Sequence, residues 1–91
     1  MVATFVFHED PGHGWLEVTR ADMAKVNLSP SDFSGYSYRN SRDSKYYLEE
    51  DADATKFLVA WRDRFGSLPK FDNRYRHNTF IRKLPSIRPP H

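Results

Sequence analysis

The chain has 91 residues, 15% of them aromatic, no cysteine and a formal net charge of only +2. That length makes a single domain over residues 1–91, one that buries only about 60–65% of its unfolded surface. The lack of cysteine excludes disulfides and Cys-based zinc sites and fits a reducing compartment, and the small net charge argues against a strong electrostatic grip on nucleic acid.

Met1 to Phe5 has neither a basic segment nor a long apolar run, so no signal peptide is expected. No stretch approaches the roughly 20 apolar residues that span a bilayer, so no membrane contact is expected either. Thr4-Phe5-Val6-Phe7-His8 is β-branched and aromatic and predicts a strand. Glu9 to Gly14 predicts a turn, and the alternation of Trp15-Leu16-Glu17-Val18-Thr19 predicts a second strand closing a hairpin. Thr19, with Asp22 three residues on, predicts the N-cap of a short helix from Arg20 to about Val26, ended by Asn27 in a left-handed conformation. Ser29 to Asp32 reads as a loop able to start a further helical turn.

Gly35 to Arg39 and Lys45 to Glu49 predict a second hairpin across the polar stretch Asn40 to Ser44. Asp51 or Asp53 then caps the longest helix, whose apolar residues Ala54, Phe57, Leu58, Trp61 and Phe65 form one stripe. Gly66 ends it, with Pro69 just beyond. Phe71 to Arg76 and Phe80 to Leu84 are candidate short strands, and Pro85, Pro89 and Pro90 predict an irregular end over 85–91. The order ββ-α-ββ-α predicts an α+β fold: a small antiparallel sheet of about four strands, packed by one main helix, with a basic extended C-terminal tail.

Charge is unevenly spread. Residues 1–69 hold 8 Lys+Arg against 11 Asp+Glu, and residues 70–91 hold 6 against 1. The basic end either meets an anionic partner or folds back on the protein's own acidic surface.

Four groups of residues carry possible chemistry. In the first turn, His8 and His13 flank two carboxylates, which makes them weak candidates for metal ligands. Their spacing matches no established zinc signature, and a hairpin turn explains the same residues. Glu49, Glu50, Asp51 and Asp53 could bind a cation or act in acid–base chemistry, or could simply favour a helix N-terminus. Arg74, Arg76, Arg82 and Lys83, interleaved with Tyr75 and Phe80, suit phosphates and stacked bases. Tyr36 and Tyr38 fall on one face by alternation and fit either cross-strand pairing or partner contact. If the chain is an enzyme, the residues to carry it are His13, Glu49, His77 and Arg82, as a small His- or metal-dependent nuclease or hydrolase. No cofactor is expected.

As a set, Asp10-Pro11-Gly12-His13-Gly14-Trp15-Leu16-Glu17-Val18, Tyr36-Ser37-Tyr38-Arg39 and Tyr47-Leu48-Glu49-Glu50-Asp51-Ala52-Asp53-Ala54 resemble a group of small proteins from bacteriophages, prophages and plasmids. The resemblance covers residue 5 to about residue 84 and includes Asn78-Thr79-Phe80-Ile81-Arg82. It departs at Ala52, where that pattern often has cysteine, which weighs against a thiol role there. The group has no established activity, so no residue's role carries over.

What the resemblance implies is a setting. Small phage-borne proteins often block a host machine, anti-CRISPR and other anti-defence proteins among them. The leading expectation is therefore a non-enzymatic accessory protein in the cytoplasm of a bacterial host. It would bind and inhibit a host protein or ribonucleoprotein through Tyr36, Tyr38, Glu49, Glu50, Asp51, Arg74, Arg76, Arg82 and Lys83. The alternatives are nucleic-acid binding through the basic C-terminal segment and the small hydrolase.

Overall fold

A computed structural model describes residues 3–42 and 44–88. Its strands are β1 (Thr4–Glu9), β2 (Gly14–Thr19), β3 (Tyr38–Arg39), β4 (Lys45–Glu49) and β5 (Lys70–Tyr75). Its helices are α1 (Arg20–Lys25) and α2 (Asp53–Phe65), with 3-10 turns at Pro30–Asp32 and Phe80–Lys83. The α+β class, the two hairpins and the main helix are as the sequence predicts. Among the described residues no helix is long and apolar enough to cross a membrane.

The sheet has one strand more than expected and is mixed, in the order β3-β4-β2-β1-β5. β1 and β2 pair antiparallel with Phe7 opposite Leu16, and β2 and β4 with Leu16 opposite Leu48. β5 lies parallel to β1, Phe5 beside Phe71. Since β1 and β4 each run antiparallel to β2, β4 and β5 run the same way. Parallel strands need a crossover, and α2 supplies it by passing over the sheet from β4 to β5.

Both faces of the sheet are covered over its inner strands. On one, Phe5, Leu16, Val18, Tyr46 and Leu48 form the core with Phe57 and Trp61 of α2 and Met23 of α1. Phe5 meets both Phe57 and Trp61 edge to face, at ring-centroid distances of 5.6 and 5.0 Å. Each such fully buried side chain contributes about 1.5–3 kcal/mol. On the other face, Trp15 and Tyr47 pack against Ile81 of the C-terminal segment. That segment is docked on the sheet. Arg39 N–H donates to Pro85 C=O, Ile87 N–H to Ser37 C=O, and Tyr38 bridges Ser86. Pro89 and Pro90 lie outside the described residues.

Local caps explain the element ends. Thr19 Oγ accepts the Asp22 N–H while the Asp22 carboxylate accepts the Thr19 N–H, a reciprocal box. Asn27 adopts φ 61° and Gly66 φ 83°, the left-handed stops expected after α1 and α2.

Three expectations are corrected. Neither Asp51 nor Asp53 caps α2: the N-cap position is Ala52, with no side-chain cap. The Glu49 carboxylate instead takes the N–H groups of Asp51 (2.9 Å) and Ala52 (3.2 Å). The third strand shrinks to Tyr38–Arg39 because Ser37 is drawn into a buried hydrogen-bond network. The strand expected over Phe80 to Leu84 is instead a 3-10 turn at Phe80–Lys83, since Thr79 caps it and Ile81 must turn inward.

Candidate functional site

The first turn is built by Asp10. Its Oδ1 accepts the N–H of Gly12 (2.9 Å) and of His13 (2.7 Å), and its own N–H donates to His13 C=O. This is the local hydrogen bonding that favours aspartate in turns. Gly14 follows, and a Cβ there would stand 2.6 Å from the Phe7 ring. Glycine therefore lets the turn close onto the sheet, where Gly14 C=O also accepts the Glu50 N–H.

Arg82 completes the turn from 72 residues away. Its Nε and one terminal nitrogen both donate to Asp10, a forked pair, and that terminal nitrogen also reaches His13 Nδ1 at 2.8 Å. A guanidinium only donates, so His13 Nδ1 is the acceptor and the ring proton sits on Nε2. The guanidinium lies over the Trp15 ring, 5.4 Å from its centroid, and His13 stacks on the same indole at 5.9 Å. Arg82 holds the Asp10 carboxyl well below the usual carboxylate range, helped by the two backbone N–H groups and opposed by burial. Asp10 in turn raises Arg82.

These residues wall one side of a cleft of about 420 Å³, lined by His13, Trp15, Tyr36, Tyr38, Glu49 and Arg82, with Asp51 and Ala52 at the start of α2. Three segments far apart in sequence thus converge: the first turn, the Tyr-Ser-Tyr segment and the strand-to-helix junction. What fixes the second against the third is Asp53. Its buried carboxylate accepts Ser34 N–H, Ser34 Oγ–H and Ser37 Oγ–H, while Ser37 Oγ accepts the Glu49 N–H at 2.9 Å. Tyr38 lies opposite Tyr47 in the sheet and edges onto Trp15. Tyr36 sits in the turn before β3 and is 79% exposed, at the rim.

Of the residues proposed for catalysis, His13, Glu49 and Arg82 share this cleft; His77 is exposed and does not line it. Glu50 is exposed beside the junction and is not part of the lining. The basic segment divides. Arg82 enters the cleft, Lys83 points outward from the same 3-10 turn, and Arg74 and Arg76 lie on and just after the edge strand β5. Sequence reasoning gave Trp15 no place in a site, took Asp10 only as a carboxylate of the first turn, and took Asp53 as a cap or cation ligand where it is the buried tie between Ser34 and Ser37. Only Asp10 carried a local signal, an aspartate opening an Asp-Pro-Gly turn.

The two histidines do not act together. His8 is buried on the second sheet face, where Nε2 donates to Glu17 at 3.0 Å and the ring abuts Tyr47 and Phe80. That hydrogen bond, with lesser help from Lys45, lowers the Glu17 carboxyl. Burial, reinforced by the Glu17 charge, pushes the Tyr47 phenol up to about 12. Among the described residues no three His, Asp or Glu side chains are grouped to hold a metal ion. No protein-family model, curated protein or solved structure matches the chain.

Proposed function

We propose that this chain is a non-catalytic binding protein of a phage or other mobile element. It occupies and blocks a host protein or ribonucleoprotein, in the manner of anti-CRISPR and other anti-defence proteins. The observation that carries the binding reading is the state of the cleft's polar groups. Arg82 is committed to Asp10 and His13, and both Glu49 oxygens accept N–H groups from the start of α2. These bonds give both groups the structural work of holding the cleft wall, and each Glu49 oxygen keeps a second lone pair. What the cleft offers is a rigid wall of Trp15 and Tyr38 with Tyr36 exposed at the rim, the kind of aromatic anchor that dominates protein interfaces. The phage setting rests on the resemblance of the same three segments that meet at this cleft.

Phage plating on hosts carrying defined defence systems tests this, with affinity capture from the same cells. The wild-type chain should raise plating efficiency and retain a component of the system it blocks. Tyr36→Ala should keep its fold and lose both effects by about tenfold or more. Unchanged plating on every host, with no defence component retained, overturns the reading.

A further inference from the structure

β5 is the outer strand of the sheet, and all six of its residues are exposed. Phe71 is 39% and Tyr75 63% exposed, with Phe65 and Leu68 exposed nearby. An edge strand carrying open aromatic rings is a template for another strand.

The backbone fixes how such a strand must pair. Lys70 N–H donates to Ala3 C=O and Arg76 N–H to Glu9 C=O, both toward β1. Successive residues of a strand turn their amides to opposite sides, so Phe71, Asn73 and Tyr75 direct theirs outward. An antiparallel neighbour bonds through residues of that outward kind. A second copy of β5 meets the condition at all three positions when Asn73 faces the partner's Asn73. Phe71 then lies opposite the partner's Tyr75, and Tyr75 opposite the partner's Phe71.

The same register sets Asp72 opposite the partner's Arg74, and Arg74 opposite the partner's Asp72, on the other face. Within one chain these two side chains already bond at 2.9 Å, about half exposed. A shift of two residues one way puts Asp72 against the partner's Asp72; a shift the other way puts Arg74 against the partner's Arg74. Opposite charges across a pair favour pairing and like charges oppose it, so one register is selected. Lys70 and the partner's Arg76 approach only at the ends, where salt screens them.

We propose that β5 is a homodimer interface, two copies pairing antiparallel about Asn73 and joining their five-stranded sheets into one continuous sheet. The contact is isologous and closes on itself. The opposite edge cannot extend the sheet in the same way, because residues 85 and 86 already bond to β3 there. The cleft lies toward that opposite edge, so the dimer carries its two clefts at the two ends of the joined sheet, on the same face, a spacing suited to a repeated partner bound with avidity.

Sedimentation across a wide concentration range tests this without any partner, so its outcome is separate from that of the cleft. The wild type should pass from monomer to dimer as concentration rises. Asp72→Arg alone and Arg74→Asp alone should each weaken dimerisation by about tenfold or more, since each sets like charges face to face. An equimolar mixture of the two variants, and the double variant, should recover it. Circular dichroism of these surface variants should match the wild type. A wild type that stays monomeric overturns the proposal, as does a dimer indifferent to the swaps. So does a monomer that instead takes a single-stranded oligonucleotide or an extended peptide along β5.

Discussion

Arg82 and Asp10 join the last turn of the chain to the first, a forked ion pair spanning 72 residues. The pair does two things at once. It closes the Asp-Pro-Gly turn around an anion, and it sets the guanidinium over Trp15 beside His13. The C-terminal segment is therefore part of the cleft, and its most buried anchor, Ile81, sits next to the arginine that faces it.

The acid limb of the stability curve should report this pair. Asp10 titrates lower in the folded chain than in the unfolded one. On acidification the unfolded state takes up the proton first, so the stabilisation is fully present above about pH 4 and is lost as pH falls below that. Glu17, also lowered by its His8 hydrogen bond, adds to the same limb. Asp10→Asn should lower the Tm at pH 7, and its difference from wild type should narrow as pH drops below 4. Arg82→Lys should not restore the wild-type curve, because an ammonium lacks the fork that meets Asp10 and His13 together. Thermal unfolding followed by circular dichroism over that range checks both.

The Asp53 network should be the more costly loss. Ser37 is fully buried and joins Asp53 to the Glu49 amide, so removing any member strands a polar group away from water. Ser37→Ala should cost about 1–3 kcal/mol and Asp53→Ala about 2–4 kcal/mol by urea unfolding. Asp53→Ala should also loosen the turn that carries Tyr36, read as faster amide exchange at residues 34–38.

How much of this could be read from the sequence follows from range. β1, β2, β4, the reciprocal cap of Thr19 and Asp22, the α2 stripe and the Gly66 stop are local signals, and each stands where expected. β5 was legible only as a candidate strand, because with both faces exposed it has no apolar period to announce its parallel pairing. The helix start was misassigned because any of several neighbouring carboxylates can satisfy the same N–H groups, and Glu49 reaches them from β4. The cleft was legible as three strings of residues but not as a place, since sheet order alone brings them together. His77 was grouped with Arg82 by nearness in sequence; the imidazole that Arg82 touches is His13.

Tyr47 gives a test at the alkaline end. Burial and the nearby Glu17 charge raise its phenol to about 12, against about 10 in the unfolded chain. The stabilisation is complete below pH 10 and is lost as pH rises from 10 to about 12, since the unfolded state then releases the proton first. Ultraviolet titration of tyrosinate should show a late step in the wild type that Tyr47→Phe removes. The same variant should unfold at a higher pH than the wild type.

Gly14 separates packing from backbone conformation. A methyl group there would press on the Phe7 ring at 2.6 and 2.8 Å and on the Glu50 carboxylate at 3.0 Å, within a buried strand end. Gly14→Ala should cost about 1–3 kcal/mol through overpacking, and it should displace the turn that holds His13 and Arg82. Gly66→Ala meets no atom within 4 Å; its cost, about 1 kcal/mol, comes from the left-handed φ alone. The two variants therefore part on a second readout, the near-ultraviolet signal of Trp15. Gly14→Ala should change it by moving the ring stack on the indole, and Gly66→Ala, at the far end of α2, should leave it as in the wild type. A Trp15 signal unmoved by Gly14→Ala would mean that the turn and the cleft wall are not mechanically joined.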